Sequence, residues 1–201
     1  MMIKTVIFDI GNVLTDFRWE DFFKEKGYSK ELIDRIGKAT VESEIWPEYD
    51  KGLLSNEEIM DGFVKNDPEI EKEIRESLSD IRGIVTKRDY AIPWIQELKR
   101  KGYQVLYLSN FSRRAEEQCA GSLDFIPYTD GGILSYKEKC IKPEPRIYEL
   151  LIERYHLNPE ECVFLDDLQK NLDGASRFGI KTILFKNQEQ AIEALKALGV
   201  E

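Results

Sequence analysis

Residues 3–14 read IKTVIFDIGNVL, an apolar run that leads directly into Asp9 and is followed closely by a glycine. A nearly continuous apolar run is typical of a strand buried on both faces of a parallel sheet. The next run of this quality, QVLYL, does not come until residues 104–108. Since a crossover between neighbouring parallel strands needs only about a dozen residues, the spacing predicts a large insertion after the first strand.

The intervening segment, residues 16–88, has the pattern of a helical insertion. Apolar residues at helical spacing lie on one face of residues 32–39. Residues 55–58, SNEE, form a capping box ahead of another apolar face. Asp67 and Pro68 predict the N-cap and the first residue of a further helix. We therefore expect a cap of several helices in this segment.

Strands and helices alternate over the second half of the chain. Strands are predicted at 104–108, 162–165 and 180–185, and helices at 90–101, 146–155, 169–178 and 188–198. Gly131 and Gly132 are interpreted as a turn, because no glycine-rich fingerprint surrounds them. The alternation predicts an α/β fold, a doubly wound, Rossmann-like parallel sheet with an inserted α-helical cap. The core is expected to comprise residues 1–15 and 89–201, and the cap residues 16–88.

Composition restricts the classes of function. A chain of 201 residues with 42% hydrophobic content can bury a full core. Its net charge of -9 argues against nucleic acid as the main partner, which needs a basic surface. No run approaches the roughly 20 apolar residues of a membrane span, and the first strand leaves no room for a leader. Cys119, Cys140 and Cys162 form no CxxC pair, which favours reduced thiols and a cytoplasmic location.

Chemically useful side chains stand at the ends of the predicted strands, where parallel α/β sheets bind their ligands. Asp9 follows the first strand, Ser109 and Asn110 follow the second, and the pair 166–167 follows a later one. Lys142 begins the segment KPEP, whose prolines stiffen the chain around it. A carboxylate nucleophile, a hydroxyl, a lysine and an acidic pair together suit Mg²⁺-dependent phosphoryl transfer through an aspartyl-phosphate.

Each of these residues also has a purely structural interpretation. Asp9 is able to cap the loop after its strand, and Ser109 the helix that begins near Arg113. The acidic pair 166–167 is able to cap the helix that begins near Gln169. A lysine in an arbitrary sequence is usually solvated.

Four segments carry a family resemblance: 7–14 (IFDIGNVL), 108–110 (LSN), 142–145 (KPEP) and 164–167 (FLDD). With these segments in this order over nearly the whole chain, the protein resembles the haloacid dehalogenase-like hydrolases that carry a helical cap after the first strand. Most of these enzymes are phosphatases. The variant motifs look closest to a branch that acts on sugar phosphates.

The resemblance implies a role for each motif residue. Asp9 is implied as the nucleophile that attacks phosphorus, and Lys142 as the cation that balances Asp9 and the phosphate charge. Ser109 and Asn110 are implied to bind the phosphate through a hydroxyl and a backbone amide. The implied substrate is a small-molecule phosphate ester, and the oligomeric state is left open.

The resemblance also implies Mg²⁺ as the cofactor. Asp9 and Asp167 are implied as direct ligands, Asp166 as a ligand through water, and the backbone carbonyl of Gly11 as a further ligand. Two adjacent carboxylates at a strand end are costly unless a cation lies between them and Asp9. The expected metal site therefore consists of these four residues.

The motif departs from the family at Gly11. Most of these phosphatases carry a second aspartate there, which protonates the leaving group and later activates water. General acid–base help is worth about 10² to 10⁴ in rate. We prefer a substrate with a good leaving group, such as a sugar-1-phosphate. The alternatives are that a cap residue or Asp16 replaces the missing carboxylate, or that the enzyme is slow or defunct.

Two other functions stay open. A haloacid dehalogenase uses a similar aspartate, Ser-Asn pair and lysine, also lacks the second aspartate, and needs no metal, so metal dependence separates the two. A scaffold that only binds phosphates or a partner protein is the non-enzymatic alternative. The aromatic residues of the cap, among them Trp19, Phe22, Trp46 and Tyr49, are interpreted as cap core in preference to a substrate pocket.

Overall fold

The structure, a computed structural model, describes residues 2–200. This part of the chain contains seven strands: β1 (Thr5–Phe8), β2 (Thr15–Phe17), β3 (Val85–Lys87), β4 (Gln104–Ser109), β5 (Gly131–Leu134), β6 (Cys162–Asp166) and β7 (Lys181–Leu184). It contains eleven α-helices: α1 (Trp19–Glu25), α2 (Lys30–Ala39), α3 (Trp46–Lys51), α4 (Asn56–Asn66), α5 (Glu71–Ser77), α6 (Ala91–Arg100), α7 (Arg113–Gln118), α8 (Ser135–Glu138), α9 (Pro145–Tyr155), α10 (Gln169–Ser176) and α11 (Gln188–Ala197). None of these helices is long and apolar enough to cross a membrane.

Five strands form one parallel sheet in the order β5-β4-β1-β6-β7. The central strand β1 is buried on both faces, because successive side chains of a strand point to opposite sides. Ile7 packs with the apolar residues of α9 and α10, whereas Val6 and Phe8 pack with those of α6 and α11. Helices therefore cover both faces, and the predicted doubly wound α/β sheet is confirmed.

The segment between β1 and α6 contains the five helices α1–α5 and a two-stranded antiparallel ribbon. In the ribbon, β2 pairs with β3, and Asp16 lies opposite Thr86. We call residues 16–88 the helical insertion. The ribbon joins the two ends of the helical insertion close to the predicted boundaries, and the division into core and cap stays a prediction.

The start of α4 matches the sequence, whereas the start of α5 does not. Ser55 and Glu58 form the predicted capping box at α4. Asp67 caps no helix with its side chain: a 3₁₀ turn, Pro68–Ile70, follows it, and α5 begins only at Glu71. The Asp67 carboxylate instead accepts hydrogen bonds from Arg35, at 2.8 Å from Nε and 2.7 Å from Nη2. A long-range ion pair has replaced the local cap.

Gly131 and Gly132 do not form the predicted turn but begin β5, opposite Leu106 and Tyr107 of β4. Gly131 has a φ of 132°, which few other residues adopt. A Cβ on Gly132 would lie 2.3 Å from the carbonyl oxygen of Tyr107, so the strands approach closely here. The strand was missed because just two apolar residues follow the glycines.

Candidate active site

The carboxyl ends of three adjacent strands bring the predicted site residues together. Asp9 follows β1, Ser109 ends β4 and Asp166 ends β6, and β1 is hydrogen-bonded to both of the other strands. Lys142 reaches the same place from the loop between α8 and α9. The side chains therefore meet at one edge of the sheet, where parallel α/β sheets bind their ligands.

Lys142 lies between two carboxylates and is almost completely buried, with its side chain 1% exposed. Its Nζ lies 2.9 Å from Oδ1 of Asp9 and 2.6 Å from Oδ2 of Asp166. Burial alone would lower the pKa of Lys142, but the carboxylates of Asp166 and Asp9 raise it above its usual value. The ammonium group is thus charged and held, and the solvated interpretation of Lys142 is wrong.

Asp166 is fully buried, and its carboxylate is hydrogen-bonded at both oxygens. Besides Lys142, it accepts bonds from the backbone N–H of Leu168 at 2.8 Å and from Nδ2 of Asn171 at 3.0 Å. These donors compensate the charge of Asp166 without a metal. A cation at this site would therefore mainly balance the carboxylates of Asp9 and Asp167.

Asp167 is half-buried and accepts a hydrogen bond at 3.0 Å from Nδ2 of Asn12. Burial raises the pKa of Asp167, and the bond from Asn12 opposes this. Asn12 also accepts a bond at 3.1 Å from the backbone N–H of Phe17, so it ties the acidic pair to β2. Its φ of 57° lies in the left-handed region, which asparagine tolerates. Asn12 was not identified from the sequence, although an asparagine shortly after a strand end is a residue type that indicates a turn with a left-handed backbone.

Asp9 has one oxygen that is hydrogen-bonded and one that is not. Oδ1 accepts the backbone N–H of Ile10 at 2.7 Å and lies next to Lys142. Within residues 2–200, no hydrogen bond or ion pair reaches Oδ2. Burial raises the pKa of Asp9 to about 7, since it outweighs the opposing charge of Lys142. A carboxylate fixed at one oxygen and open at the other is suited to attack or to metal binding.

The acidic residues fit a hard divalent cation. Asp9, Asp166 and Asp167 each offer an oxygen, and these oxygens lie within 4.8 Å of one another. Carboxylate oxygens are the ligands that Mg²⁺ prefers. In addition, Oδ1 of Asn171 is buried beside Asp166 and has no hydrogen-bond partner among the described residues. A water bound to a cation would satisfy an acceptor of this kind, so both observations fit a metal.

Ser109 and Asn110 differ in what their side chains do. Ser109 is buried and lines the cavity above Asp9. The Asn110 side chain is bonded to the backbone of Lys142, from Nδ2 to the carbonyl at 3.0 Å and from the Lys142 N–H to Oδ1 at 2.7 Å. Asn110 therefore holds the lysine loop in place. The N-cap of α7 is Ser112, so the capping interpretation of Ser109 is wrong.

A cavity of about 610 Å³ lies over these residues, between the sheet edge and the helical insertion. Asp9, Ser109 and Lys142 line its base, and Gly11 and Asp167 lie beside them. From the helical insertion it is lined by aromatic and acidic side chains, including Phe17, Trp46, Tyr49, Asp50 and Phe63. The interpretation of the aromatic residues as cap core agrees with the structure for Phe22, which is buried in the core. Trp46 and Tyr49 also pack against this core, and in addition they line the cavity.

Two acids of the helical insertion differ in relation to this cavity. Asp16, considered above as a substitute for the missing aspartate, is ion-paired with Arg88 at 2.6 Å and does not line the cavity. Asp50 does line it. Burial raises the pKa of Asp50 to about 7, Asp9 adds to the shift and Lys142 opposes it. Asp50 was not singled out from the sequence, in which it is one of many acids.

Residues 3–179 match the sequence model of the haloacid dehalogenase-like hydrolases. The chain belongs to this family. The protein is therefore a hydrolase with the α/β fold of its family, and the resemblance noted from the four motifs is confirmed.

Relatives and a solved structure cover almost the whole chain. Phosphatase MT3486 from Mycobacterium tuberculosis is 28% identical over an alignment of 225 positions that covers 99% of this chain and 96% of the relative. D-ribitol-5-phosphate phosphatase from Bacteroides thetaiotaomicron is 24% identical over an alignment of 206 positions that covers 92% of this chain and 93% of the relative. A solved HAD family enzyme from Bacteroides thetaiotaomicron, in complex with magnesium and inorganic phosphate, is 25% identical with a TM-score of 0.67, covering 92% of this chain and 94% of that one.

Proposed function

We propose that the protein is a Mg²⁺-dependent phosphatase that hydrolyses a small phosphomonoester through an aspartyl-phosphate on Asp9. The observation that carries this proposal is the state of the Asp9 carboxylate. Its Oδ1 is fixed by Lys142 and by the N–H of Ile10, whereas Oδ2 is without a partner in the described part of the chain. A nucleophile that is oriented by one oxygen and free at the other is prepared for in-line attack on phosphorus.

Four residues would hold the metal: Asp9, Asp167, the Gly11 carbonyl and, through water, Asp166. Asp166 suits the outer role because its oxygens already accept bonds from Lys142 and Asn171. A bound Mg²⁺ would shield the attacking carboxylate from the phosphate charge. Magnesium and phosphate are present together in the solved relative described above, which supports this assignment.

The remaining residues act on the phosphate. Lys142 places a positive charge within 2.9 Å of Asp9, where the anionic phosphoryl group must approach. The Ser109 hydroxyl donates to a phosphate oxygen, and the backbone amide of Asn110 binds another. These donors are fixed before the substrate arrives, which is the condition under which they stabilise a transition state most.

The proposed substrate class is a sugar phosphate, with a sugar-1-phosphate as the first candidate. Gly11 offers no acid, which favours an anomeric leaving oxygen that needs little protonation. The cavity of about 610 Å³ is large enough for a sugar ring, and Trp46 and Tyr49 offer aromatic faces beside it. A relative that is a D-ribitol-5-phosphate phosphatase points to the same class of polar, hydroxylated esters.

We also propose that the helical insertion acts as a cap that selects the substrate, because its side chains form the upper wall of the cavity. A cytoplasmic location is proposed on the basis of the cysteines, since Cys119, Cys140 and Cys162 are free and buried.

The test is phosphate release from a panel of phosphomonoesters, with and without Mg²⁺, for the wild type and Asp9→Asn. We expect Mg²⁺-dependent release that falls by at least about 10³-fold in Asp9→Asn. Asp61→Asn is the matched control, because Asp61 is an exposed acid of α4 whose carboxylate is ion-paired with Arg75 at 2.8 Å, outside the cavity. Acid-quenched enzyme should carry a phosphoryl group on the peptide that contains Asp9.

Two results would count against the proposal. Absence of phosphate release from every ester, together with halide release from a 2-haloacid, would favour dehalogenase chemistry, which needs no metal. Equal rates for a sugar-1-phosphate and an ordinary alkyl phosphate would remove the leaving-group argument for the substrate class while leaving the phosphatase activity in place.

A further inference from the structure

One step of the proposed reaction has no residue assigned to it. When Asp9 attacks phosphorus, the leaving oxygen needs a proton, and the aspartyl-phosphate later needs an activated water. Residue 11 is a glycine and has no acidic side chain. Asp16, the acid proposed from the sequence, is ion-paired with Arg88. The other acids that line the cavity are therefore the candidate proton donors.

Asp50, near the end of α3, is an acid in a suitable place. It lines the same cavity as Asp9 but comes from the opposite wall, which belongs to the helical insertion. No hydrogen bond or ion pair to its carboxylate is present from any residue between 2 and 200. A carboxylate that is half-buried in a cavity and has no ion pair or hydrogen bond, such as that of Asp50, is unusual, because carboxylates removed from water are normally paired or hydrogen-bonded.

The backbone of Asp50 is fixed to the core by a buried hydroxyl. Oγ of Ser135, which is fully buried, donates to the carbonyl of Asp50 at 2.6 Å. The same oxygen accepts the backbone N–H of Phe111 at 2.9 Å. Since Phe111 follows Ser109 and Asn110 directly, one hydroxyl links the proposed phosphate-binding loop to Asp50.

The residues after Asp50 strengthen this attachment. Lys51 is ion-paired at 2.8 Å with Glu144, in the loop that also carries Lys142. Gly52 ends α3 with a φ of 64°, and a Cβ placed on it would lie 3.0 Å from Cβ of Tyr136. The end of α3 is therefore packed tightly on the core. This gives Asp50 the fixed backbone that a catalytic group requires.

We propose that Asp50 is the general acid and base of this phosphatase, acting from the helical insertion in place of a side chain at position 11. In the first step Asp9 forms a bond to phosphorus, the bond from phosphorus to the leaving oxygen breaks, and the Asp50 carboxyl gives its proton to that oxygen. In the second step water attacks phosphorus and gives a proton to the Asp50 carboxylate. The bond from phosphorus to Asp9 breaks, and both acids return to their starting forms.

The electrostatic surroundings agree with this role. Burial and the nearby Asp9 raise the pKa of Asp50 to about 7 in spite of the opposing charge of Lys142. A donor with a pKa near neutrality can both give and take a proton at the working pH. The inference rests on the proposed phosphatase function, and it would extend the enzyme to esters whose leaving groups need protonation.

The test compares two esters in the wild type and in Asp50→Asn, with Mg²⁺ present. One ester is an aryl phosphate, whose phenolate leaves without a proton, and the other is an alkyl phosphate. We expect Asp50→Asn to lower kcat/KM, which reports the steps up to the loss of the leaving group, by about 10² to 10⁴ for the alkyl ester and by less than about tenfold for the aryl ester. Asp50→Glu, which keeps the acid, should recover part of the alkyl ester activity.

Asp16→Asn and Asp61→Asn are the matched controls, and both should leave the ratio of the two rates unchanged. An equal loss of kcat/KM for both esters in a folded Asp50→Asn would overturn the inference, because it would show a positioning role. If Asp50→Asn fails to fold, Asp50→Glu serves instead, and the inference predicts that its alkyl rate falls more than its aryl rate. A wild type that releases phosphate from no ester of the panel, sugar-1-phosphates included, would overturn the proposed function itself, which is a separate outcome.

Discussion

The two walls of the cavity are built in opposite ways. On the sheet edge, the charges of Lys142, Asp9 and Asp166 compensate one another at distances of 2.6 and 2.9 Å. On the helical insertion, Asp50 faces the same space with no partner for its carboxylate among the described residues. The charged side chains of the sheet edge are therefore ion-paired with one another before any substrate binds. The carboxyl group of Asp50, which is proposed to exchange a proton, has no such ion pair.

The largest effect is expected from breaking the paired wall. Lys142→Met removes the cation and leaves Asp166 buried without its main counter-charge. Breaking a buried ion pair in this way costs about 3–5 kcal/mol of unfolding free energy. Urea denaturation at neutral pH measures the loss, and phosphatase activity should disappear with it. Lys170→Met, at the exposed mouth of the cavity, is the control and should keep its stability. Unchanged stability of Lys142→Met would show that the buried charges are not paired as described.

The second prediction moves the unpaired acid to the other wall. A Cβ placed on Gly11 meets no heavy atom within 4 Å, so an aspartate fits there. We expect Gly11→Asp to restore alkyl phosphate hydrolysis in the Asp50→Asn background by about tenfold or more, because it supplies an acid. Gly121→Asp is the matched control, since Gly121 is also sterically open and lies on the surface. Absence of rescue, in a variant that still binds Mg²⁺, would argue that protonation does not limit the reaction.

The third prediction loosens the contact between the walls. Ser135→Ala leaves the carbonyl of Asp50 and the N–H of Phe111 without their buried partner. The expected loss of stability is about 1–3 kcal/mol. If the hydroxyl also positions Asp50, kcat/KM for the alkyl ester falls more than kcat/KM for the aryl ester. Ser79→Ala, an exposed serine of the helical insertion, should change neither quantity. An equal change in the rates for both esters would show that the Ser135 hydroxyl does not position Asp50 for proton transfer.

The paired wall was predictable from sequence because Asp9 and Asp166 are adjacent to apolar strands and Lys142 begins the proline-stiffened segment KPEP. Asp9 and Asp166 are placed by local pattern, and the parallel sheet brings the strand ends together. Where the pattern was weak, as in the two-glycine start of β5, the strand was missed.

The unpaired wall could not be predicted in the same way. The helix α3 has six residues, too few for a reliable periodic signal. Its position depends on contacts such as that between Asp50 and Ser135, which are 85 residues apart in sequence. The role of the Asn110 side chain was missed for a related reason. Its partner is the backbone of Lys142, and no sequence pattern specifies a side-chain bond to a distant peptide group.

The smallest effect is a pH dependence of stability that belongs to the unpaired acid. The pKa of Asp50 rises from an ordinary 3.8 to about 7 on folding, through burial and Asp9 and against Lys142. The folded state therefore holds the proton more tightly than the unfolded state. Stability is unaffected below about pH 4, falls as the pH rises towards 7, and stays lower above it.

Asp50→Asn removes this loss, so the variant should gain stability relative to the wild type between about pH 4 and pH 7 and keep the gain at higher pH. Urea denaturation of both proteins in the presence of a chelator measures the difference, and Asp9, which is common to both, largely cancels. The gain is expected to be small, because Asp50 is only half-buried and water in the cavity relieves part of its cost. A stability difference that is flat across this range would mean that the carboxyl of Asp50 is ionised in the folded protein, and the unpaired wall would then hold a fixed charge like the paired one.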